Sequence, residues 1–317
     1  MNTPDQATAR CPICNAENNL KKKLKANFLK QQLEIYYGEK ILEELDICDY
    51  EILRCSNCSL EFASPMLAGS ESFYQWVTNH SGYYPDYRWE WGCVLEKIKS
   101  HNSESINLLE VGCGSGKFLD AARQIYNLRA VGIDTTITSV EECRRRELEA
   151  YCESLDSFIT NTNYEKFDLV VAFHCLEHVS EPKKLIESML SVLKPSGSIF
   201  VSTPYSPMSF ETLWFDPLNH PPHHITRWNV SSYNELARQL NLKINLIMPQ
   251  SLNVIDRVLY TLNYAWHGPA QLVSRSNIKI AALRHPLIAI SEFIRQSRRE
   301  KVNNQVAADV VLVELSR

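Results

Sequence analysis

Between Ile106 and Thr203 the chain repeats one pattern: an apolar run, a turn, then a stretch with one apolar helical face. Ile106–Val111 (INLLEV) is short, apolar and stopped by glycines, which suits a buried strand. Lys117–Tyr126 then carries Phe118, Leu119, Ala122 and Ile125 on one helical face. Ala130–Ile133 is a second strand, ending at Asp134, and Phe167–Phe173 (FDLVVAF) is a third. Pro182–Leu193 reads as a helix with Pro in its first turn, closed by KPSG. Ser198–Ser202 is a further strand. Strands alternating with helices at this spacing need a parallel sheet with crossover helices, so the fold class is α/β.

Composition narrows the rest. A chain of 317 residues is one large domain or two ordinary ones, at roughly 150 residues each. Hydrophobic residues at 44% and charged residues at 22% are ample for a core and exclude a mainly disordered chain. Lys+Arg 33 against Asp+Glu 37 gives −4, which does not favour a nucleic-acid partner. No apolar run approaches the roughly 18 residues that span a bilayer. The start, MNTPDQATAR, lacks the build of a secretory leader, so the expected compartment is the cytoplasm, where paired cysteines more often hold metal. The expected division is a zinc-binding module over 1–68, an aromatic-rich lid or linker over 69–104, and a cofactor-binding domain over 105–317. Within that domain a helical insertion is expected at about 250–306.

The first strand-to-helix turn reads Glu110-Val111-Gly112-Cys113-Gly114-Ser115-Gly116. Its glycines let the backbone bend sharply and let a ligand approach closely. The spacing is GxGxG, and Glu110 just before it is a poor neighbour for a pyrophosphate but a good one for a cation. Asp134, about 20 residues on, can take both hydroxyls of a ribose. A ribose-bearing cation satisfies both observations, and S-adenosylmethionine is one. The alternative is a tight turn in some other α/β protein.

LLEVGCGSGKFLDAA, then VGIDTT, then FDLVVAFHCLEHVSEPKKLIESMLSVLKPSGSIFVSTP resembles the class I S-adenosylmethionine-dependent methyltransferases, in the branch with ubiquinone-pathway and deoxysugar enzymes. The resemblance covers roughly residues 106–203. It implies a Rossmann-like seven-stranded methyltransferase sheet with helices on both faces. It also implies that Gly112, Cys113, Gly114 and Gly116 cradle the methionine end with Glu110 near its ammonium. Asp134 would hold the ribose, Thr135 would flank the adenine, and Ser154 and Leu155 would fall at the adenine contact. Phe173 and His174 would line the cofactor side of the pocket, followed by Glu177 and His178, the latter either a pocket residue or a turn cap.

Residues 215–228 read FDPLNHPPHHITRW, with His220, His223 and His224 within five positions. Pro217, Pro221 and Pro222 prevent a helix and stiffen this loop, which leaves the edge of the sheet where such folds bind ligands. Imidazole suits a general base near neutral pH. The cluster could instead bind a metal or be a structural loop. In the similar deoxysugar C-methyltransferases a Glu-His pair does acid/base work here. His224 matches that histidine and is the first choice of base, His223 stands in place of the Glu, and His220 is the reserve.

Cys11-Pro-Ile-Cys14 and Cys55-Ser-Asn-Cys58 are two CxxC knuckles that can complete a tetrahedral S₄ zinc site with a structural role. The roughly 40 residues between them predict a looped-out helix. Redox dithiols or unconnected thiols are the alternatives. Asn15 and Ser59 stand where knuckles favour Gly. The deoxysugar enzymes carry a similar N-terminal module.

Tyr83, Tyr84, Tyr87, Trp89 and Trp91 either cover a sulfonium as a lid or join the zinc module to the core. Lys21, Lys22, Lys23 and Lys25 read as a solvated helix face rather than an RNA grip. Leu287, Ile288, Ile290, Phe293 and Ile294 share one helical face, with Arg295, Arg298 and Arg299 beyond. That stripe is expected to pack as a substrate lid, with peripheral contact to an anionic membrane through 287–299 the alternative. The sequence thus predicts a methyltransferase using S-adenosylmethionine and structural Zn²⁺ on a small sugar-like or phenolic acceptor. An RNA methyltransferase and a non-catalytic cofactor-binding interaction protein are the competing readings.

Overall fold

The computed structural model describes residues 9–42, 45–80, 83–99, 105–125, 128–161, 164–211, 213–247, 254–267, 283, 286–298, 301–302, 305–306 and 309–317. The first knuckle precedes β1 (Asn18–Leu24), and the expected helix between the knuckles is α1 (Ala26–Tyr37). Asp49 accepts the Ala26 N–H at 2.9 Å and so holds the start of α1, which buries Leu29 and Leu33 one turn apart. β2 (Tyr50–Cys55) and β3 (Glu61–Ser64) complete an antiparallel run with β1. α2 (Glu71–Thr78), capped by Ser70, adds Phe73, Trp76 and Val77 to the same apolar cluster. Lys21–Lys23 lie on β1 and not on a helix face, which corrects the sequence reading. Pairing with β2 overrides local propensity here, and β1 is an edge strand whose lysines discourage further sheet pairing.

α3 (Trp89–Lys99) leads into the central alternation. It runs β4 (Ile106–Val111), α4 (Lys117–Ala122), β5 (Leu128–Asp134), α5 (Ile137–Arg145), β6 (Glu149–Cys152) and α6 (Leu155–Asn161). β7 (Phe167–Phe173), α7 (Pro182–Val192) and β8 (Leu193–Pro204) follow. Then come β9 (Thr226–Arg227), α8 (Val230–Gln239), β10 (Lys243–Ile247), α9 (Val254–His267) and α10 (Pro286–Ser297). The hairpin β11 (Lys301–Val302) and β12 (Gln305–Val306) precedes β13 (Val310–Ser316). The large sheet has the order β10-β13-β8-β7-β4-β5-β6. Its strands from β8 to β6 pair in parallel, and β13 is antiparallel to both neighbours. This is the expected seven-stranded α/β sheet, with β13 departing from the parallel arrangement that the strand–helix alternation predicts. β4 and β7 are buried along nearly their whole length, and β8 from Ile199 to Thr203, as their near-continuous apolar runs require.

β9 pairs with β3, so the loop after β8 supplies the fourth strand of the N-terminal sheet. Tyr205 and Trp228 form a parallel bridge beside it. A boundary at 68 is therefore crossed by backbone hydrogen bonds. In the expected insertion, α9 and α10 pack together through Val258, Leu259, Leu262 and Ala289. Residues 250–253, 268–282, 284–285, 299–300, 303–304 and 307–308, within or beside that insertion, and Tyr126 lie outside the described residues. α10 does not pack its apolar stripe: Leu287 is 80% exposed while Gln296 is 0% exposed.

Candidate active site

Strand order reverses between β4 and β7, so their C-terminal ends open a crevice of the kind that binds ligands in α/β sheets. The turn after β4 has Gly112, Gly114 and Gly116 at φ +73°, +50° and +74°, conformations that glycine adopts without strain. A Cβ on Gly114 would lie 2.6 Å from the Tyr84 ring. Asp134, at the end of β5, accepts the Gly114 N–H at 2.9 Å and the Thr136 N–H at 2.8 Å. Its carboxylate thereby ties the glycine turn to the neighbouring strand, with Thr135 exposed beside it. Glu110 is 3% exposed, and its Oε2 has no hydrogen-bond partner. Burial pushes this carboxyl well up, Cys143 and Asp134 add to the effect, and Arg88 opposes it.

The segment around Tyr84 straps the turn. Lys117 Nζ donates to the Tyr84 carbonyl and to Asp86, both at 2.8 Å, and the Tyr84 hydroxyl meets Ser139 Oγ at 3.2 Å. Trp91 packs inward against Phe118 and Phe173, so the aromatic run both covers the crevice and anchors in the core. Burial lowers the Arg88 pKa, while Glu90, Glu177 and Glu110 pull the other way.

Phe173 is buried edge-on against Phe118 at 4.8 Å. His174, at φ +50°, stands between two buried carboxylates: Nε2 is 2.8 Å from Glu90 and Nδ1 is 3.4 Å from Glu177. Ser154 and Leu155 are differently engaged. Ser154 Oγ accepts the Ser157 N–H at 3.2 Å in the first turn of α6, and Leu155 is buried in the core. The residue paired with Asp134 across the strand ends is Cys152, which is exposed.

Hydrogen bonds to carbonyl oxygens define the imidazoles, because a carbonyl only accepts. His223 Nδ1 donates to the Leu218 carbonyl at 2.8 Å, leaving Nε2 to accept from the Tyr83 hydroxyl at 2.9 Å. His178 Nδ1 donates to the His223 carbonyl at 2.6 Å. His224 Nδ1 donates to Asn219 Oδ1 at 3.2 Å, the amide being oriented by its own bond to Glu211 at 2.9 Å. His224 Nε2 then faces Glu177 at 3.9 Å. Burial, then His223 and His178, hold the His224 pKa well below the usual histidine range, so it is neutral at pH 7. Ring nitrogens of His178, His223 and His224 lie within 4.8 Å of one another, close enough to share one ion. His220 stands apart. Its Nδ1 donates to the Asp216 carbonyl at 2.8 Å and its Nε2 accepts from Arg227 at 3.1 Å, so both nitrogens are committed.

The four knuckle cysteines converge although they come from separate turns. Cys11 and Cys58 sulfurs are 3.6 Å apart, Cys14 and Cys55 3.5 Å, and Cys14 and Cys58 4.0 Å. Four sulfurs at about 2.3 Å from a zinc ion would be about 3.8 Å apart, so this donor set fits the metal. Asn15 and Ser59 take φ +57° and +59°, the left-handed conformation for which a knuckle favours Gly.

Sequence reasoning gave no role to Arg88, Glu90 or to Glu177 as the link between His174 and His224. The available signal was the charged pair inside the aromatic run YYPDYRWEW and the Glu of LEHVSEP.

Residues 90–246 match the family model described as a methyltransferase domain. The chain is 27% identical over 114 residues to the mitochondrial ubiquinone biosynthesis O-methyltransferase of Dictyostelium discoideum, covering 32% of this chain and 36% of that protein. It is 35% identical over 105 residues to the ubiquinone biosynthesis O-methyltransferase of Haemophilus ducreyi, covering 30% and 44%. The matched stretch thus spans less than half the length of these curated relatives. A methyltransferase of known structure from Archaeoglobus fulgidus aligns with a TM-score of 0.47 at 14% identity, covering 71% of this chain and 92% of that one.

Proposed function

We propose that this chain, a class I S-adenosylmethionine-dependent methyltransferase by its 90–246 domain, methylates an oxygen or carbon of a small sugar-like or phenolic acceptor. Glu110 and Arg88 would hold the methionine end, the Gly112–Gly116 turn would cradle it, and Asp134 would take the ribose. A buried carboxylate with an unpartnered oxygen fits a ligand that brings its own cation. When bound, the cofactor supplies a methyl group on a sulfonium, open to in-line displacement.

The observation that carries the reading is Glu177, whose Oε1 lies 3.4 Å from His174 and 3.9 Å from His224. It links the cofactor edge to the histidine loop. His224 Nε2 takes the acceptor's proton while Asn219 holds the opposite N–H. Burial makes His224 a weak base, and the Glu177 carboxylate offsets this by stabilising the imidazolium as it forms. His223 acts through Tyr83 as a positioning residue, and His220 belongs to the Arg227 network. The curated relatives are named as O-methyltransferases, which supports an oxygen acceptor. The four cysteines would hold one zinc ion, whose role would be structural rather than catalytic.

The test is S-adenosylhomocysteine formation with a panel of phenols and sugars, with cofactor affinity measured by calorimetry. His224→Gln should cut turnover at least a hundredfold and leave cofactor affinity within threefold. No cofactor binding would overturn the enzyme reading, and unchanged turnover would overturn the base. The closeness of His178, His223 and His224 favours a second reading, an ion in place of the base. Loss of turnover in chelator, restored by a divalent cation, would select it.

A further inference from the structure

An amphipathic helix normally turns its apolar stripe inward. α10 does the reverse. Ala289, Glu292 and Gln296 form its inner face: Ala289 packs on α9, and Glu292 and Gln296 are buried. Gln296 Nε2 donates to Thr261 Oγ1 at 3.0 Å and to the Ser209 carbonyl at 3.1 Å. Arg295 bonds the same carbonyl and pairs with Glu292 at 2.5 Å. These contacts fix the rotation of the helix. The opposite stripe, Leu287, Ile290 and Ile294 at i, i+3 and i+7, is 80%, 56% and 45% exposed, with Ile288 and Phe293 exposed on its flanks. Arg298 continues that stripe by one turn.

Charge says what covers it. Residues 275–301 hold seven basic residues (Arg275, Lys279, Arg284, Arg295, Arg298, Arg299, Lys301) against two acidic (Glu292, Glu300), a net of +5 in a chain of net −4. Glu292 is turned inward and paired with Arg295, so among the described residues the outer face carries the apolar stripe and Arg298. Docking this stretch against its own copy across a two-fold axis would oppose two segments that each carry a net +5 in sequence. At 12 residues, about 18 Å, the helix is too short to cross a bilayer, and no described helix is long and apolar enough to do so. An apolar face that ends at Arg298 and is followed in sequence by Arg299 and Lys301 suits the boundary between anionic headgroups and acyl chains.

We propose that α10 is a peripheral docking surface for an anionic lipid bilayer, with Leu287, Ile290 and Ile294 entering the acyl boundary and Arg298 meeting headgroup phosphates. The inference does not depend on the methyl-transfer reading. Its test is flotation of the full chain with vesicles of phosphatidylcholine containing about a third phosphatidylglycerol, against pure phosphatidylcholine, at low and high salt. The expected result is binding to the anionic vesicles alone, weakened by salt. Leu287→Ser with Ile294→Ser should lower the bound fraction at least tenfold, with circular dichroism and melting temperature unchanged because both side chains are exposed. Absence of binding, equal binding to neutral vesicles, or a solution dimer that the double substitution dissolves would each overturn the proposal.

Discussion

The Tyr83 hydroxyl stands 2.9 Å from His223 Nε2 and joins the strap over the glycine turn to the histidine loop, 140 residues away in sequence. Burial raises the Tyr83 pKa well above that of a free phenol, so the hydroxyl keeps its proton and donates. Tyr83→Phe leaves a buried imidazole nitrogen without its donor. The expected cost is about 1–3 kcal/mol, read as a lower denaturation midpoint at unchanged slope. If the strap is positioned by this bond, KM for the cofactor should also rise. A midpoint equal to wild type would show that the contact carries nothing.

Acid stability should report His220. Its folded pKa lies well below 6.5, first from burial and then from Arg227, so the native state binds fewer protons than the unfolded chain between the two values. Stability is therefore complete above about pH 6.5 and falls as pH drops below it. Protonation would place a second cation 3.1 Å from a guanidinium. His220→Asn, whose amide can replace the Nδ1 donor, should flatten the slope by up to about 1.4 kcal/mol per pH unit. Denaturation series at pH 7.5, 6.5 and 5.5 measure it, and an unchanged slope counts against the assignment.

Much of this architecture is legible along the chain. β4 and β7 were readable to the residue because each is buried on both faces and bounded by turns, so burial and local pattern agree. β9 was not, because two residues, Thr226 and Arg227, carry no period and are held as a strand only by β3. The apolar stripe of α10 was legible but its direction was not. Periodicity says which residues share a face, and the buried bonds of Gln296 and Glu292 decide which face turns inward. The glycine turn was legible from its spacing, whereas the contacts of Glu177 depend on a loop 47 residues further on.

Glu110→Gln should move two properties in opposite directions. A buried carboxylate with an unpartnered oxygen is costly, and a neutral amide of the same shape relieves that cost. Stability at pH 7 should be equal to or above wild type. Cofactor affinity should fall about tenfold, roughly 1.4 kcal/mol, because the counter-charge to its ammonium is lost. Calorimetric titration with S-adenosylmethionine and S-adenosylhomocysteine decides it, since both carry the ammonium and both should weaken. Undiminished affinity would remove Glu110 from the cofactor site.

Zinc removal should reach the histidine loop through the shared sheet. Cys55 ends β2 and Cys58 closes the turn that leads to β3, whose far edge holds Thr226 and Arg227 of β9. That strand directly follows His223 and His224, and the Ile225 N–H donates to the Glu177 carbonyl at 2.9 Å. Elemental analysis should find one zinc per chain, lost in Cys58→Ala. Because structural zinc sites contribute folding energy directly, the N-terminal sheet should lose protection from hydrogen exchange. Protection should also fall over 220–228, with turnover dropping in parallel, while β4, β7 and β8 remain protected. Turnover surviving zinc loss with 220–228 still protected would mean that the histidine loop is held from the large sheet alone.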